Sequence, residues 1–494
     1  MPWSPSTEDY LDVIVGQNPW HESGSVPSEL AKPIRRPFAE FLWRAVFRPD
    51  LRRYQLVLGA RRVGKTTVMY QTVEELIRRH VDTRRLWWFR LDHPLLIDGG
   101  LGELVRNVVS VGEASPSAPV FLFLDELAYA RDWDLWLKTF YDEKWPIRLF
   151  GTSSSTAVLR KRRTESGVGR WEEQYLAPYL FTEYLALRDK HPSIEVRDSL
   201  AETIDASIGT AELPRAVDNE RRRYIMLGGF PELLLLEEGP DALSELLRSQ
   251  RILRSDAVER AVYKDIPQAF GVDEPMKLER LLYTLAGQVT GIISPNALAK
   301  DLGMSAPTLE RYISFLTQSF IIFTLPNYSG SEKSVQRRGR KLYFVDCAVR
   351  NAALQRGVSP LEDPAEMGVL LENVVASHLH ALCQQKGVRL YHWRQHQFEV
   401  DLVYDDASQP LAFEVATSPT HSLKSLREFQ QRSTRFHNRC FLVCPGVHAI
   451  RPEAGRFGIG RLPLDLLLVA IGVQTQQALR QRLEAPPGAV EIDV

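Results

Sequence analysis

Apolar positions follow two rhythms along this chain, and their alternation predicts an α/β architecture for its first third. Short apolar runs at residues 56–58, 86–91, 120–124 and 147–150 each stop at a glycine or an acidic residue. Runs of that length suit strands buried on both faces of a parallel sheet. Between and before them, residues 35–48, 66–79 and 101–109 carry apolar side chains at helical spacing, with Phe38, Phe41, Leu42, Ala45 and Val46 on one stripe. Residues 1–34 are rich in Pro, Ser and Gly and read as an irregular lead-in.

Further on, residues 216–275 read as a helical lid containing the turn Gly228-Gly229-Phe230-Pro231. Residues 276–345 predict a winged helix. An amphipathic stretch at 278–288 leads to a short helix started by Ser294-Pro295, a turn at 302–304 and a second helix at 305–317. That second helix turns Ser305, Thr308, Glu310 and Arg311 outward, and strands at 320–325 and 341–345 build the wing. The last segment, 346–494, predicts an α/β domain with Glu372 on a helix at 370–382 and Asp401 and Glu414 on neighbouring strands at 398–403 and 411–415. A strand at 440–443 follows, then an apolar run at 464–473 that suits a buried strand or helix. The domains expected are thus 1–34, 35–215, 216–275, 276–345 and 346–494.

The stretch at 54–67, YQLVLGARRVGKTT, gives the first expectation about chemistry. The spacing G-x-x-x-x-G-K-T between a strand and a helix is a phosphate-binding loop, whose backbone N–H groups curl round phosphates at a helix N-terminus. Gly59, Ala60, Arg61, Arg62, Val63, Gly64, Lys65, Thr66 and Thr67 would cradle the nucleotide, with Lys65 on the β- and γ-phosphates and Thr66 on Mg²⁺. Asp125-Glu126 closes the strand at 120–124, at the edge where open α/β sheets bind ligands. Asp125 would bind Mg²⁺ through water, and Glu126 would orient or deprotonate the attacking water. The strand at 147–150 ends in GTSSS, where Ser153, with Thr152 as the alternative, would sense the γ-phosphate.

Composition narrows the partners without naming one. The 61 Lys plus Arg nearly balance 62 Asp plus Glu, so any nucleic-acid surface must be a local patch. Two patches qualify: Arg160, Lys161, Arg162 and Arg163, and the loop carrying Lys333, Arg337, Arg338, Arg340 and Lys341, which suits phosphate contacts. At 494 residues the chain is long enough for roughly three or four domains. Four cysteines without paired spacing argue against a disulfide scaffold or a zinc site, and a reduced, cytoplasmic setting is expected. The acidic start does not resemble a signal peptide. No run approaches about 18 apolar residues, so no membrane span is expected.

The ordered motifs GARRVGKTT, FLDEL, GTSSS, GRWEEQYLAPYLFTEYL, GGFPELL and RKLYFVDCAVRNAAL resemble prokaryotic AAA-type ATPases of the ASCE P-loop class with a C-terminal DUF4143-like domain. The resemblance spans roughly residues 35–430. It implies a P-loop ATPase core with ATP and Mg²⁺, a winged helix, a nuclease-like module and a nucleic-acid setting. Arg170 matches the family's Gly-Arg step and is the first choice for an arginine acting on a neighbouring subunit; Arg251, Arg254 and Lys264 are the alternatives. The C-terminal segment resembles a restriction-endonuclease-like core, in which Asp401 and Glu414, preceded by Glu372, would be the metal-holding acids. The lysine expected two residues after the glutamate is replaced by Ala416, which predicts a catalytically dead scaffold; Lys424 is the alternative source of that amine. The leading expectation is an oligomeric, ATP-hydrolysing machine acting on DNA. The alternatives are a nucleotide-dependent assembly switch that binds a protein, and an ATP-dependent nuclease.

Overall fold

The first sheet is assembled from five short runs: β1 (Tyr54–Leu58), β2 (Leu86–Arg90), β3 (Val120–Asp125), β4 (Ile147–Ser153) and β5 (Trp171–Tyr175). The computed structural model describes residues 7–47, 53–97, 100–156, 169–209, 217–234, 242–329, 339–452 and 458–484. Contacts divide the chain into two compact units, residues 1–176 with 479–494, and residues 177–478. The boundary at 176 puts residues 177–215 in the second unit, where the sequence had grouped them with the phosphate loop.

Among the described residues of the first unit every strand pair is parallel, in the order β2-β3-β4-β1-β5. β4 therefore lies between the strand that feeds the phosphate loop and the strand that carries the acid pair. Its register sets Thr152 opposite Val57 and Gly151 opposite Leu124, so the carboxyl ends of β1, β3 and β4 finish at one level. β1 and β3 are buried along their whole length, as their unbroken apolar sequence requires. Helix Lys65–Arg78 covers the sheet with Val68, Met69, Val73 and Leu76.

The lead-in departs from expectation. It carries helices Thr7–Gly16, Trp20–Ser23 and Ser28–Ala31. Their role is explained by the edge strand β2, whose outer backbone groups need partners. The Asn18 carboxamide accepts from Trp88 N at 2.6 Å and donates to Trp88 O at 3.0 Å, and the fully buried Trp20 indole donates to Leu86 O at 2.9 Å. Prolines precede two of these short helices, which is why the composition looked irregular.

Among the described residues the second unit contains two sheets. β6 (Ile292–Ile293), β7 (Ile322–Leu325) and β8 (Arg340–Phe344) form an antiparallel sheet in the order β6-β8-β7. Helices Pro295–Leu302 and Ala306–Gln318 lie between β6 and β7 in the chain, packed on each other and on helix Pro275–Gly287. β9 (Arg389–Gln395), β10 (Phe398–Asp405), β11 (Leu411–Val415), β12 (Cys440–Cys444) and β13 (Ile459–Pro463) form the other, antiparallel from β9 to β11 and parallel from β11 to β13. The 23-residue helix Pro364–Lys386, capped by Asp363 and ended by Gly387 at φ +68°, buries Leu371, Val375, Leu379 and Leu382 in the core that this sheet shares. The apolar run at 464–473 is the start of helix Leu464–Glu484, and Leu464 with the residues from Leu466 to Ile471 enters the same core. All four cysteines are buried free thiols. Among the described residues no helix is long and apolar enough to cross a membrane.

His378 is fully buried in helix Pro364–Lys386. Its Nε2 accepts from Phe181 N at 2.9 Å and its Nδ1 lies 2.8 Å from Val374 O, so the ring is neutral with the proton on Nδ1. Burial pushes its pKa down from the ordinary value to about 4. The unfolded chain takes up this proton near pH 6.5, whereas the folded chain does so only near 4, so stability from this site is full at neutral pH and lost as pH falls between those values. Denaturation of wild type and His378→Asn across that window will show their stability difference shrinking on acidification, by up to about 1.4 kcal/mol per pH unit. A pH-independent difference would refute the buried neutral ring.

Candidate nucleotide-binding site

Backbone chemistry shapes the loop between β1 and helix Lys65–Arg78. Gly64 sits at φ +95° directly before the helix, a conformation that suits glycine. At Gly59 the constraint is space, since a Cβ there would come within 2.3 Å of Leu176 O. Arg62 also adopts a positive φ, +65°. Lys65 is buried, and its ammonium donates to Gly59 O at 2.9 Å and Ala60 O at 3.0 Å, folding back across the loop. These contacts hold the amine at the mouth of the loop, where a phosphate oxygen would compete with the two carbonyls.

The acid pair meets this loop. Thr66 Oγ1 donates to Asp125 Oδ2 at 2.7 Å, and the Thr152 hydroxyl donates to Asp125 Oδ1. Glu126 N in turn donates to Thr152 Oγ1 at 3.0 Å, so one hydroxyl on β4 steadies both acids. Asp125 is buried, and its pKa is raised to about 6, first by desolvation and then by the adjacent Glu126 charge; the two threonine hydrogen bonds and Lys65 oppose that rise. Glu126 stands at φ +54°, half-buried, with its Oε2 accepting from Ser154 Oγ at 3.0 Å. A threonine hydroxyl beside a carboxylate oxygen is the hard-oxygen donor set that Mg²⁺ takes, so Thr66 and Asp125 fit such an ion.

Two expectations near this site change. Ser153, the first choice for a γ-phosphate sensor, turns its hydroxyl to Ser155 O at 2.8 Å. Its neighbours Thr152 and Ser154 are the residues on the acid pair; strand alternation separates them from Ser153, and a run of serines hides which phase faces the site. Arg170 lies away from the loop. Its carbonyl accepts from Tyr54 N at the amino end of β1, the opposite edge of the sheet, and its guanidinium grips Asp142 at 2.8 and 3.0 Å.

The basic patches are also redrawn. Arg160, Lys161, Arg162, Arg163, Lys333, Arg337 and Arg338 lie outside the described residues. Thr308 and Arg311 are exposed or half-exposed on helix Ala306–Gln318, whose N-cap Ser305 shares a 2.9 Å hydroxyl contact with Thr308. Arg340 ion-pairs with Glu310 on that helix. Lys341 offers nothing to an external phosphate, because it is 1% exposed and points inward from β8.

Lys341 instead reaches Glu372 and Asp401, two of the three acids the sequence had linked to a nuclease-like core, together with Glu399. Its Nζ lies 2.8 Å from Glu372 Oε1, 2.7 Å from Asp401 Oδ1 and 2.7 Å from Glu399 Oε1. Asp401 stands where the β9–β10 register breaks between Val400 and Val403, and its other oxygen accepts from Val415 N at 2.9 Å. Tyr343 OH donates to Glu372 at 2.8 Å. Glu414 is buried nearby with Oε1 on His421 Nε2 at 2.8 Å; desolvation, then the charge of Asp401, pushes its pKa to about 8. Lys424 is exposed at the start of helix Lys424–Arg432. Among the described residues no group of three or more His, Cys, Asp or Glu is set to hold a metal ion. The metal that a nuclease-like core implies does not fit these acids as they stand, since an ammonium occupies their centre.

Residues 51–185 match the AAA domain family, residues 218–359 a domain of unknown function (DUF8612), and residues 367–462 another (DUF4143). The chain joins an AAA-type ATPase core to a DUF4143 domain. It is 27% identical over 348 residues to uncharacterized protein MJ1637 of Methanocaldococcus jannaschii, covering 69% of this chain and 70% of that one. It is 29% identical over 254 residues to an uncharacterized protein of Mycobacterium tuberculosis, covering 50% and 52%. Among solved structures, the Walker-type ATPase PABY2304 of Pyrococcus abyssi is similar at 16% identity and a TM-score of 0.37, over 65% of this chain and 95% of that one.

Within the AAA core, Thr152 is the hinge of the acid pair. Thr152→Val keeps the shape of the side chain and leaves buried Asp125 short of a donor, a loss of about 1–3 kcal/mol. ATP turnover by the variant is expected to fall roughly tenfold, with nucleotide affinity little changed. Turnover at the wild-type rate would show that the hydroxyl positions nothing.

Proposed function

We propose that the chain hydrolyses ATP at the carboxyl edge of the first sheet and uses the energy to act on DNA as a homo-oligomer in the cytoplasm. The observation that carries the hydrolytic part is the convergence of Thr66 and Thr152 on Asp125, beside Glu126. The loop N–H groups and the amino end of helix Lys65–Arg78 bind the phosphates, and Lys65 leaves its two carbonyls to pair with their charge. Thr66 and Asp125 hold Mg²⁺, which when bound neutralises charge on the β- and γ-phosphates. Glu126, held through Ser154 and through its own N–H on Thr152, is aimed to orient the attacking water and take its proton. A neighbouring copy supplies an arginine to the developing charge.

In this reading residues 216–275 serve as the lid and residues 276–345 as a winged helix. Helix–strand–helix–helix–strand–strand is the order in which that module is built, and helix Ala306–Gln318 is its reading helix. Thr308 and Arg311 on that helix contact DNA, as do Lys333, Arg337 and Arg338 and, as a separate patch, Arg160, Lys161, Arg162 and Arg163. The C-terminal sheet is a scaffold without nuclease chemistry.

A second reading is favoured by one specific pairing. Glu310 neutralises Arg340, and Lys341 is withdrawn from the basic loop, so the described part of the helix-turn-helix face carries little net charge. Such a face suits a protein partner, in a nucleotide-driven assembly switch. Turnover measured with duplex, single-stranded and junction DNA, with Lys65→Ala as the inactive control, separates the two. The first reading expects a severalfold rise with at least one DNA form and none in the control. If no DNA alters turnover or binds at low salt, while ATP changes the size of the assembly, the DNA role is wrong and the switch stands.

A further inference from the structure

We propose that Lys341 is a built-in cation of the C-terminal domain: its ammonium takes the place of a divalent ion among Glu372, Glu399 and Asp401, excludes metal from that site, and clasps the three-stranded sheet to the five-stranded one. This reading is independent of the ATPase and DNA proposals.

The geometry fits an ammonium closely. A lysine ammonium has three N–H donors and no acceptor, and here three carboxylate oxygens, one from helix Pro364–Lys386 and two from β10, lie 2.7–2.8 Å from Nζ. Every donor therefore has one anionic partner at the short distance of a charge-assisted hydrogen bond. The amine stays charged despite complete burial, because the carboxylates outweigh the desolvation that would otherwise strip its proton.

The surroundings are those of a cation site. Asp401 is fixed by Val415 N, and Glu372 by Tyr343 OH. Buried Glu414 leaves its Oε2 without a hydrogen-bond partner, and it feels the charges of Asp401, Lys341, Glu399 and Glu372, which places it at the same cluster. Four acids gathered at one point, one buried and three half-buried, require a counter-ion. Mg²⁺ and Mn²⁺ favour all-oxygen sets of this kind. The chain fills the position with its own side chain, delivered by a strand of the neighbouring sheet: Lys341 pairs in register with Ile292 of β6 and Leu325 of β7. Ala416, where a nuclease would carry its lysine, belongs to the same picture. The positive charge is present, but it comes from elsewhere in the chain and sits on the acids.

The proposal predicts that the cation is exchangeable once the tether is cut. Mn²⁺ binding to the nucleotide-free full-length chain is measured by electron paramagnetic resonance for wild type, Lys341→Met, Asp401→Asn and the double variant. Any ion at the phosphate loop is common to all four. Wild type and Asp401→Asn are expected to bind the same amount, Lys341→Met to bind about one ion more, and the double variant to lose that ion. Lys341→Met leaves the acids facing one another, so its thermal unfolding is followed with and without Mn²⁺; the midpoint is expected to rise with the ion in this variant and to stay put in wild type. Loss of Mn²⁺ from wild type on Asp401→Asn would overturn the proposal, because metal would then share the site with the ammonium. So would a Lys341→Met chain that binds no extra ion, or that stays unfolded in millimolar Mn²⁺.

Discussion

One buried carboxylate organises the nucleotide site. Asp125 ends a strand that is apolar from Val120 to Leu124, so its charge is forced into a setting where it must be met from all sides. Thr66 reaches it from the phosphate-loop helix and Thr152 from β4. Those two bonds tie together three pieces of chain that are far apart in sequence. They also divide the work within the acid pair, leaving Asp125 buried and bonded while Glu126, turned by a positive φ, rests its carboxylate on Ser154. The strand order makes this possible, because β4 lies between β1 and β3 and brings its hydroxyls to both acids.

The second unit is held by the opposite arrangement, a buried cation met by acids. Lys341 joins β8 to the helix bearing Glu372 and to β10, which bears Glu399 and Asp401. Removing one partner of such a group leaves uncompensated buried charge, which is costly. The helix-turn-helix region and the C-terminal sheet therefore share one electrostatic joint, and a movement of either that opened it would expose acids as well as separate surfaces.

How much of this was legible depended on whether the information was local. The phosphate loop was, because spacing alone fixes how backbone N–H groups curl between a strand and a helix. So was the acid pair, and so was the parallel sheet, since the apolar runs have the length of strands buried on both faces. The order of three serines at the end of β4 did not reveal which one faces the acids, because a strand's phase is set by pairing register. Lys341 was misplaced for a related reason: it follows a run of basic residues and was counted with them, although Leu342, Tyr343 and Phe344 after it already marked a buried strand in which one polar residue needs a partner. Two of the amino-terminal helices were hidden by the very prolines that precede them. Arg170 matches a resemblance, and its bidentate bond to Asp142, the last residue of helix Trp133–Asp142, depends on the fold.

In the proposed division of labour the two acids at the end of β3 have separate tasks, with Glu126 acting on the attacking water. Single-turnover hydrolysis of ATP by Glu126→Gln, set beside its ATP affinity, tests this directly. Binding close to wild type and a hydrolysis rate lower by roughly a hundredfold or more are expected. A variant that binds and hydrolyses ATP at the wild-type rate would contradict it.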